Sequence, residues 1–179
     1  MDVITFVKKL ESIKPLKDVY FKNYNELMPD VFEKKYILKE KVFNSLNQVE
    51  IGDIIQELVM KYDVVRLSFG DFQFIQPIKT IEKKHIFCYS SGSFLAYSSP
   101  FDEVVEYDND SDDFPIMDYC AKDCESFLAA ILQMKELFSL RIQGLVELDD
   151  VGTNTKFIRK CADIAGGQKY ARFYKGIIF

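Results

Sequence analysis

Tryptophan is absent from this 179-residue chain, histidine occurs once, and the 23 lysines and arginines are outnumbered by 28 aspartates and glutamates. Each shortage removes a class of function. With His85 as the sole imidazole, any Ser-His-Asp or Cys-His catalytic set has to be assembled around that one residue. A formal net charge of −5 lacks the clustered cations that grip phosphate backbones, which disfavours direct binding of DNA or RNA. Glycine is sparse, and neither GxxxxGK[ST] nor GxGxxG is present, so no phosphate cradle and no nucleotide cofactor is expected. No apolar run approaches the length of a membrane span. The first residues, Met1 to Lys9, have neither the basic lead nor the small-residue cleavage site of a signal peptide, and the expected location is the cytoplasm. Cys88, Cys120, Cys124 and Cys161 are too scattered for a secreted disulfide scaffold and read as reduced thiols.

What is present is the balance of a folded globular protein, 48% hydrophobic and 28% charged, with 16 Phe and 10 Tyr to build the core. The length suits one domain.

Val3, Phe6, Val7 and Leu10 fall at helical spacing over residues 3–13, with Pro15 just beyond. Residues 16–48 are mixed and aromatic. Helical pieces are expected there, with Pro29-Asp30 as a turn or helix start. Gly52-Asp53 precedes a short helix over Ile54 to Tyr62, with Asp53 as its cap. Val64 to Ile75 then reads as a strand bent at Gly70-Asp71, and Pro77 as its end or as the mark of a sheet edge. Lys84 to Tyr89 and Phe94 to Tyr97, joined through Ser90-Ser91-Gly92-Ser93, have the form of a hairpin. Glu103 to Tyr107 is a further strand, and Phe114 to Tyr119 a returning one. Between them Asp108-Asn109-Asp110-Ser111-Asp112-Asp113 reads as a solvated acidic loop. The clearest helix runs from Asp123, its N-cap, to about Phe138, and should pack on the sheet. Asp149 to Asn154 resembles a linker, Thr155 to Ala165 a helix stopped by Gly166-Gly167, and Gln168 to Phe179 a terminal piece that docks back.

Four constellations could carry chemistry. His85 would need a nucleophile such as Cys88, but on a regular strand positions 85 and 88 point to opposite faces. A histidine at a strand start beside Lys83 and Lys84 is the plainer reading. Cys120 and Cys124 have a spacing compatible with two zinc ligands on one helix, without a CxxC partner pair to complete a site. Core packing explains them as well. Asp108, Asp110 and Asp112 have the D-x-D-x-D opening of a calcium loop, but Asp113 stands where glycine is needed and Tyr119 where the bidentate glutamate belongs. No metal is expected at either place. Paired carboxylates for glycoside chemistry are not singled out by any spacing.

The stretches His85 to Tyr97, Glu103 to Asp108 and Cys120-Ala121-Lys122-Asp123-Cys124-Glu125-Ser126-Phe127-Leu128 together resemble the second half of the SUKH superfamily. Its members show a strand pair around a glycine turn, a strand ending in an acidic loop, and an alanine leading into a helix of S-F-x-x-F-L type. Leu27-Met28-Pro29-Asp30-Val31-Phe32 is loosely similar to the early leucine-proline-acidic segment of that family. The resemblance covers about residues 25–135. It implies an α+β fold with a central antiparallel sheet flanked by helices, a core of about 25–138 and a helical C-terminal extension over 140–179.

The resemblance also implies a binding function without catalysis or cofactor. Many members look like bacterial immunity proteins that neutralise toxins, often nucleases, while others look like regulators acting through protein contacts. The first expectation is thus a cytoplasmic immunity protein, with Glu103, Glu106, Asp108, Asp110, Asp112 and Asp113 as the surface that meets a basic partner. An intracellular scaffold or regulatory module is the alternative, and a hydrolase using Cys88 or Cys120 with His85 is a third.

Overall fold

The structure, a computed structural model, describes residues 1–41, 53–98 and 103–179. The part of the 16–48 expectation that falls on 42–48, and Gly52, lie outside the described residues.

Helix α1, Val3–Ser12, starts where the Asp2 carboxylate accepts from the Thr5 amide at 2.7 Å, and buries Val3, Phe6 and Leu10. Two short helices follow, α2 (Lys17–Tyr24) and α3 (Asp30–Lys34), the latter opening directly after Pro29. Strand β1, Lys39–Glu40, pairs antiparallel with β2, Tyr62–Asp63, and α4, Ile54–Lys61, lies between them in the chain. Asp53 caps α4 as expected, accepting from the Gln56 amide at 2.9 Å.

Six strands form one antiparallel sheet in chain order: β3 (Ser68–Phe69), β4 (Phe72–Ile81), β5 (Lys84–Tyr89), β6 (Ser93–Ser98), β7 (Val104–Asp108) and β8 (Ile116–Ala121). The bend expected at Gly70-Asp71 is instead a hairpin turn. Gly70 takes φ +52° and sits so close to Ile177 that an added Cβ would come within 2.9 Å of its Cγ2. Val64 and Val65 consequently fall outside the sheet. Pro77 does not end β4. β3 pairs only with Phe72 and Gln73, and Pro77 also falls in the irregular Phe74–Lys79 stretch of the β4–β5 pairing, so it has no paired residue on either side among the described residues.

Helix α5 runs over Cys124–Ile142, capped by Asp123, whose carboxylate accepts from the Ser126 amide at 2.6 Å. The stretch 149–154 is not a linker. Asp150 caps α6, Val151–Ala165, accepting from the Thr153 amide at 2.9 Å. Aspartate, glycine, threonine and asparagine mark loops and helix starts alike, which is why the composition misled. A 3-10 turn at Gln168–Tyr170 then leads into α7, Ala171–Ile178.

The fold is α+β, with helices packed on an antiparallel sheet and further helices closing the C-terminal part. One cluster joins α1, α4, α5, α6, α7 and the sheet, and Phe127 lies inside it with ring centroids 5.4 Å from Phe87 and 5.9 Å from Phe69. The segment 151–178 contributes Ile158, Cys161, Ala162, Phe173 and Tyr174 to that same cluster. A second, smaller cluster occupies the opposite face, with Phe94 and Ala96 on it while Leu95 and Tyr97 face the first. β6 is therefore buried on both faces. Among the described residues no helix is long and apolar enough to cross a membrane.

Candidate functional site

Among the described residues β3 and β8 are the two outer strands of the sheet, and each lies beside a distinct group of charged side chains. The β8 side is the acidic one. The loop from β7 to β8 leaves Asp110, Asp112 and Asp113 exposed, and none of them nor Asp108 meets a cation within ion-pair distance among the described residues. The loop is nevertheless held. Asp108 accepts from the Asp110 amide at 2.7 Å, Asn109 donates to the Gly92 carbonyl at 3.0 Å, and Phe114 sets its ring edge-on to Phe94 at 5.4 Å. Phe114 takes φ +44°, a conformation L-residues avoid, so the ring contacts maintain a backbone turn that the chain alone would leave.

The two glutamates of the expected surface sit apart from these aspartates. Glu103 accepts from Lys169 Nζ at 2.6 Å and from the Tyr170 hydroxyl at 3.0 Å, tying β7 to the C-terminal turn. Glu106 is half-buried and accepts from Ser93 Oγ at 2.7 Å. Burial, and Asp118 directly across the ladder, push its carboxyl above the ordinary carboxylate range. Immediately after the loop, β8 is an outer strand among the described residues and exposes Ile116 (50%) and Met117 (46%).

The nucleophile candidates are placed differently. A bulge between Ile86 and Cys88 breaks the alternation of β5, so Phe87 and Cys88 both enter the main cluster, and the regular-strand argument for residues 85 and 88 does not apply. Cys88 and Cys120 are fully buried, and desolvation drives both thiols well above their ordinary range. A thiolate nucleophile needs the reverse, a lowered pKa and access. The His85 ring lies tilted against Tyr97 with centroids 5.0 Å apart, and its Nδ1 is 3.1 Å from Thr80 Oγ1. Cys120 lies in β8 and Cys124 opens α5, so the two share no helix face. Among the described residues no group of three or more His, Cys, Asp or Glu could hold a metal ion.

The β3 side carries a feature the sequence reading passed over. A cleft of about 360 Å³ opens between the end of α3, the β3–β4 turn, α5 and α7, and Lys35, Lys135 and Arg141 line it without any carboxylate. Lys135 is 2% exposed. Its Nζ donates to the Ser68 carbonyl at 3.2 Å and lies 4.0 Å from the centre of the Tyr36 ring, whose hydroxyl donates to the Lys135 carbonyl at 2.9 Å. Burial first, then repulsion from Lys35, lowers the ammonium pKa to about 7. Arg141 donates through Nη2 to Asn154 Oδ1 at 2.7 Å and to the Ile178 carbonyl at 2.9 Å, while its buried Nε has no acceptor among the described residues. An adjoining cleft of about 550 Å³ shares Lys35 and Ser68 and adds Lys34 and Arg66, again without a carboxylate. One signal could have revealed Lys135: Leu128, Ile131, Leu132 and Lys135 succeed one another at i, i+3, i+4 and i+7, so the lysine occupies an apolar position of the helix.

Comparison with protein-family models, with curated proteins and with solved structures finds no match.

Proposed function

We propose that this chain is a non-enzymatic binding protein that docks a basic protein partner through the 108–113 loop and the start of β8, and that it acts as a cytoplasmic immunity protein occluding a toxin domain such as a nuclease. The observation that carries the reading is the held acidic loop, its aspartates without an ion-pair partner among the described residues and continuous with the exposed Ile116 and Met117 of an outer strand. Uncompensated like charges in a fixed turn repel one another, and a cationic partner relieves that repulsion. An outer strand offers backbone donors and acceptors for an added strand, so an extended basic segment is the occupant this chemistry fits. Glu103 and Glu106, held by partners within the chain, contribute field at this edge more than direct contact. The resemblance to the SUKH superfamily supports the toxin-directed form of the reading.

The test begins with the partner that co-purifies from the native cell, identified and purified separately. Asp110, Asp112 and Asp113 are replaced together by Asn, and association is timed at low (about 0.05 M) and high (about 0.5 M) ionic strength. The triple variant should associate about threefold to tenfold more slowly at low salt and almost equally at high salt. Equal rates at both would remove the loop from the interface. Inhibition of the partner's toxin activity at equimolar ratio supports immunity. A bound partner without such activity replaces it with the scaffold reading.

A further inference from the structure

The cation-lined cleft at the β3 side lies on the opposite edge of the sheet from the acidic loop, and protein docking there does not use it. We propose that it binds a small amphipathic oxyanion, a carboxylate or phosphate carried on an apolar body, with the ammonium of Lys135 at its floor and Lys35 and Arg141 beside it. The chain as a whole is acidic, yet the residues lining this cleft and its neighbour include Lys34, Lys35, Arg66, Lys135 and Arg141 and no Asp or Glu. A buried ammonium is ordinarily paired with a carboxylate, because removing an unpaired charge from water is costly. Lys135 has instead a carbonyl, an aromatic face and a second lysine as neighbours. A carbonyl and a ring quadrupole orient the ammonium but do not neutralise it. Arg141 Nε is a second buried donor without an acceptor among the described residues, in a side chain lining the same space. An oxyanion at the Lys135 ammonium supplies the counter-charge that its neighbours do not. Phe32, Phe138, Ile142 and Ile177 supply the apolar wall, and about 360 Å³ is within the range of small-molecule sites.

Binding is coupled to a proton. The groups at the Lys135 ammonium are Lys35 beyond α3, the Tyr36 ring and the Ser68 carbonyl of β3, while Arg141 of α5 lines the same cleft. The Lys135 amine, whose pKa burial lowers to about 7, sets the dependence. An anion favours the charged amine, and binding therefore takes up a proton where the free amine is neutral.

Calorimetric titration with octanoate, octyl phosphate and octan-1-ol tests this on the full chain. At least one of the two anions should bind saturably at one per chain, about tenfold or more tightly than octan-1-ol, and the preferred anion assigns the headgroup as carboxylate or phosphate. Octanoate affinity should fall by about tenfold from pH 6.5 to pH 9. Lys135→Met should abolish the preference for anion over alcohol, and Lys35→Gln, an exposed position, should weaken anion binding several-fold and decides the matter if the first variant does not fold. Equal binding of alcohol and anions, an unchanged affinity in Lys35→Gln together with a flat pH profile, or binding confined to acidic peptides would each overturn the proposal. These readouts require no protein partner, so failure here leaves the acidic-loop reading standing, and the reverse holds too.

Discussion

Lys135 shows how much one residue can depend on its surroundings. Its amine titrates near 7 in the folded chain, against 10.5 for an ordinary lysine, so between those values the unfolded chain holds the extra proton. Stability then rises with pH across that window, and the penalty of burying the charge is greatest below about pH 7. Lys135→Met, a swap of similar length into an aliphatic and aromatic site, is expected to raise stability by about 2–4 kcal/mol at low pH. The gain should shrink towards pH 10, as urea melts at several pH values can follow. A gain independent of pH would trace it to packing and not to the charge. Glu103 illustrates the converse. In sequence it belongs to an acidic surface, but its carboxylate is spent on Lys169 and Tyr170, residues 66 and 67 positions away.

At the scale of elements, the aspartate caps govern where helices begin. Asp2, Asp53, Asp123 and Asp150 each accept from an amide three residues on, leaving one fewer orphan donor in the first turn. Asp53 and Asp123 were legible because each precedes a clear run of apolar periodicity. Asp150 was not, because Val151-Gly152-Thr153-Asn154 has little periodicity and every one of those residue types is also at home in a loop. Asp150→Ala should cost about 1 kcal/mol in denaturant melts, comparable to Asp123→Ala. No measurable loss would return the segment to the role of linker. The strands divide in the same way. β6 and β7 were legible from the Ser90-Ser91-Gly92-Ser93 turn and from their β-forming residues, whereas the irregularities in the β4–β5 and β5–β6 pairings shift the parity of residues that no local rule marks.

For the whole molecule, the segment after Leu148 is the decisive case. Ile158, Cys161, Ala162, Ala165, Tyr170, Phe173, Tyr174 and Ile178 are all buried in the cluster that holds the sheet and α5. Each large apolar side chain is worth about 1.5–3 kcal/mol of burial, and total stability of such domains is about 5–15 kcal/mol. A chain ending at Asp149 should therefore fail to fold cooperatively, seen as loss of a sigmoidal urea melt and of near-ultraviolet circular dichroism. A cooperative melt of that fragment would mean that residues 25–138 suffice as a core.

The α+β class, most helix starts, the hairpin of β5 and β6 and the solvated acidic loop were readable from the chain alone, because capping, turn chemistry and hydrophobic period act over a few residues. The placement of charge at opposite edges of the sheet was not readable. It follows from strand order, which sets β3 and β8 at the two ends, and from packing that brings Tyr36, Ser68 and Lys135 together from distant parts of the chain. A side chain's solvation, and with it the pKa of Lys135 or the availability of Glu103, is fixed by neighbours that local sequence does not contain.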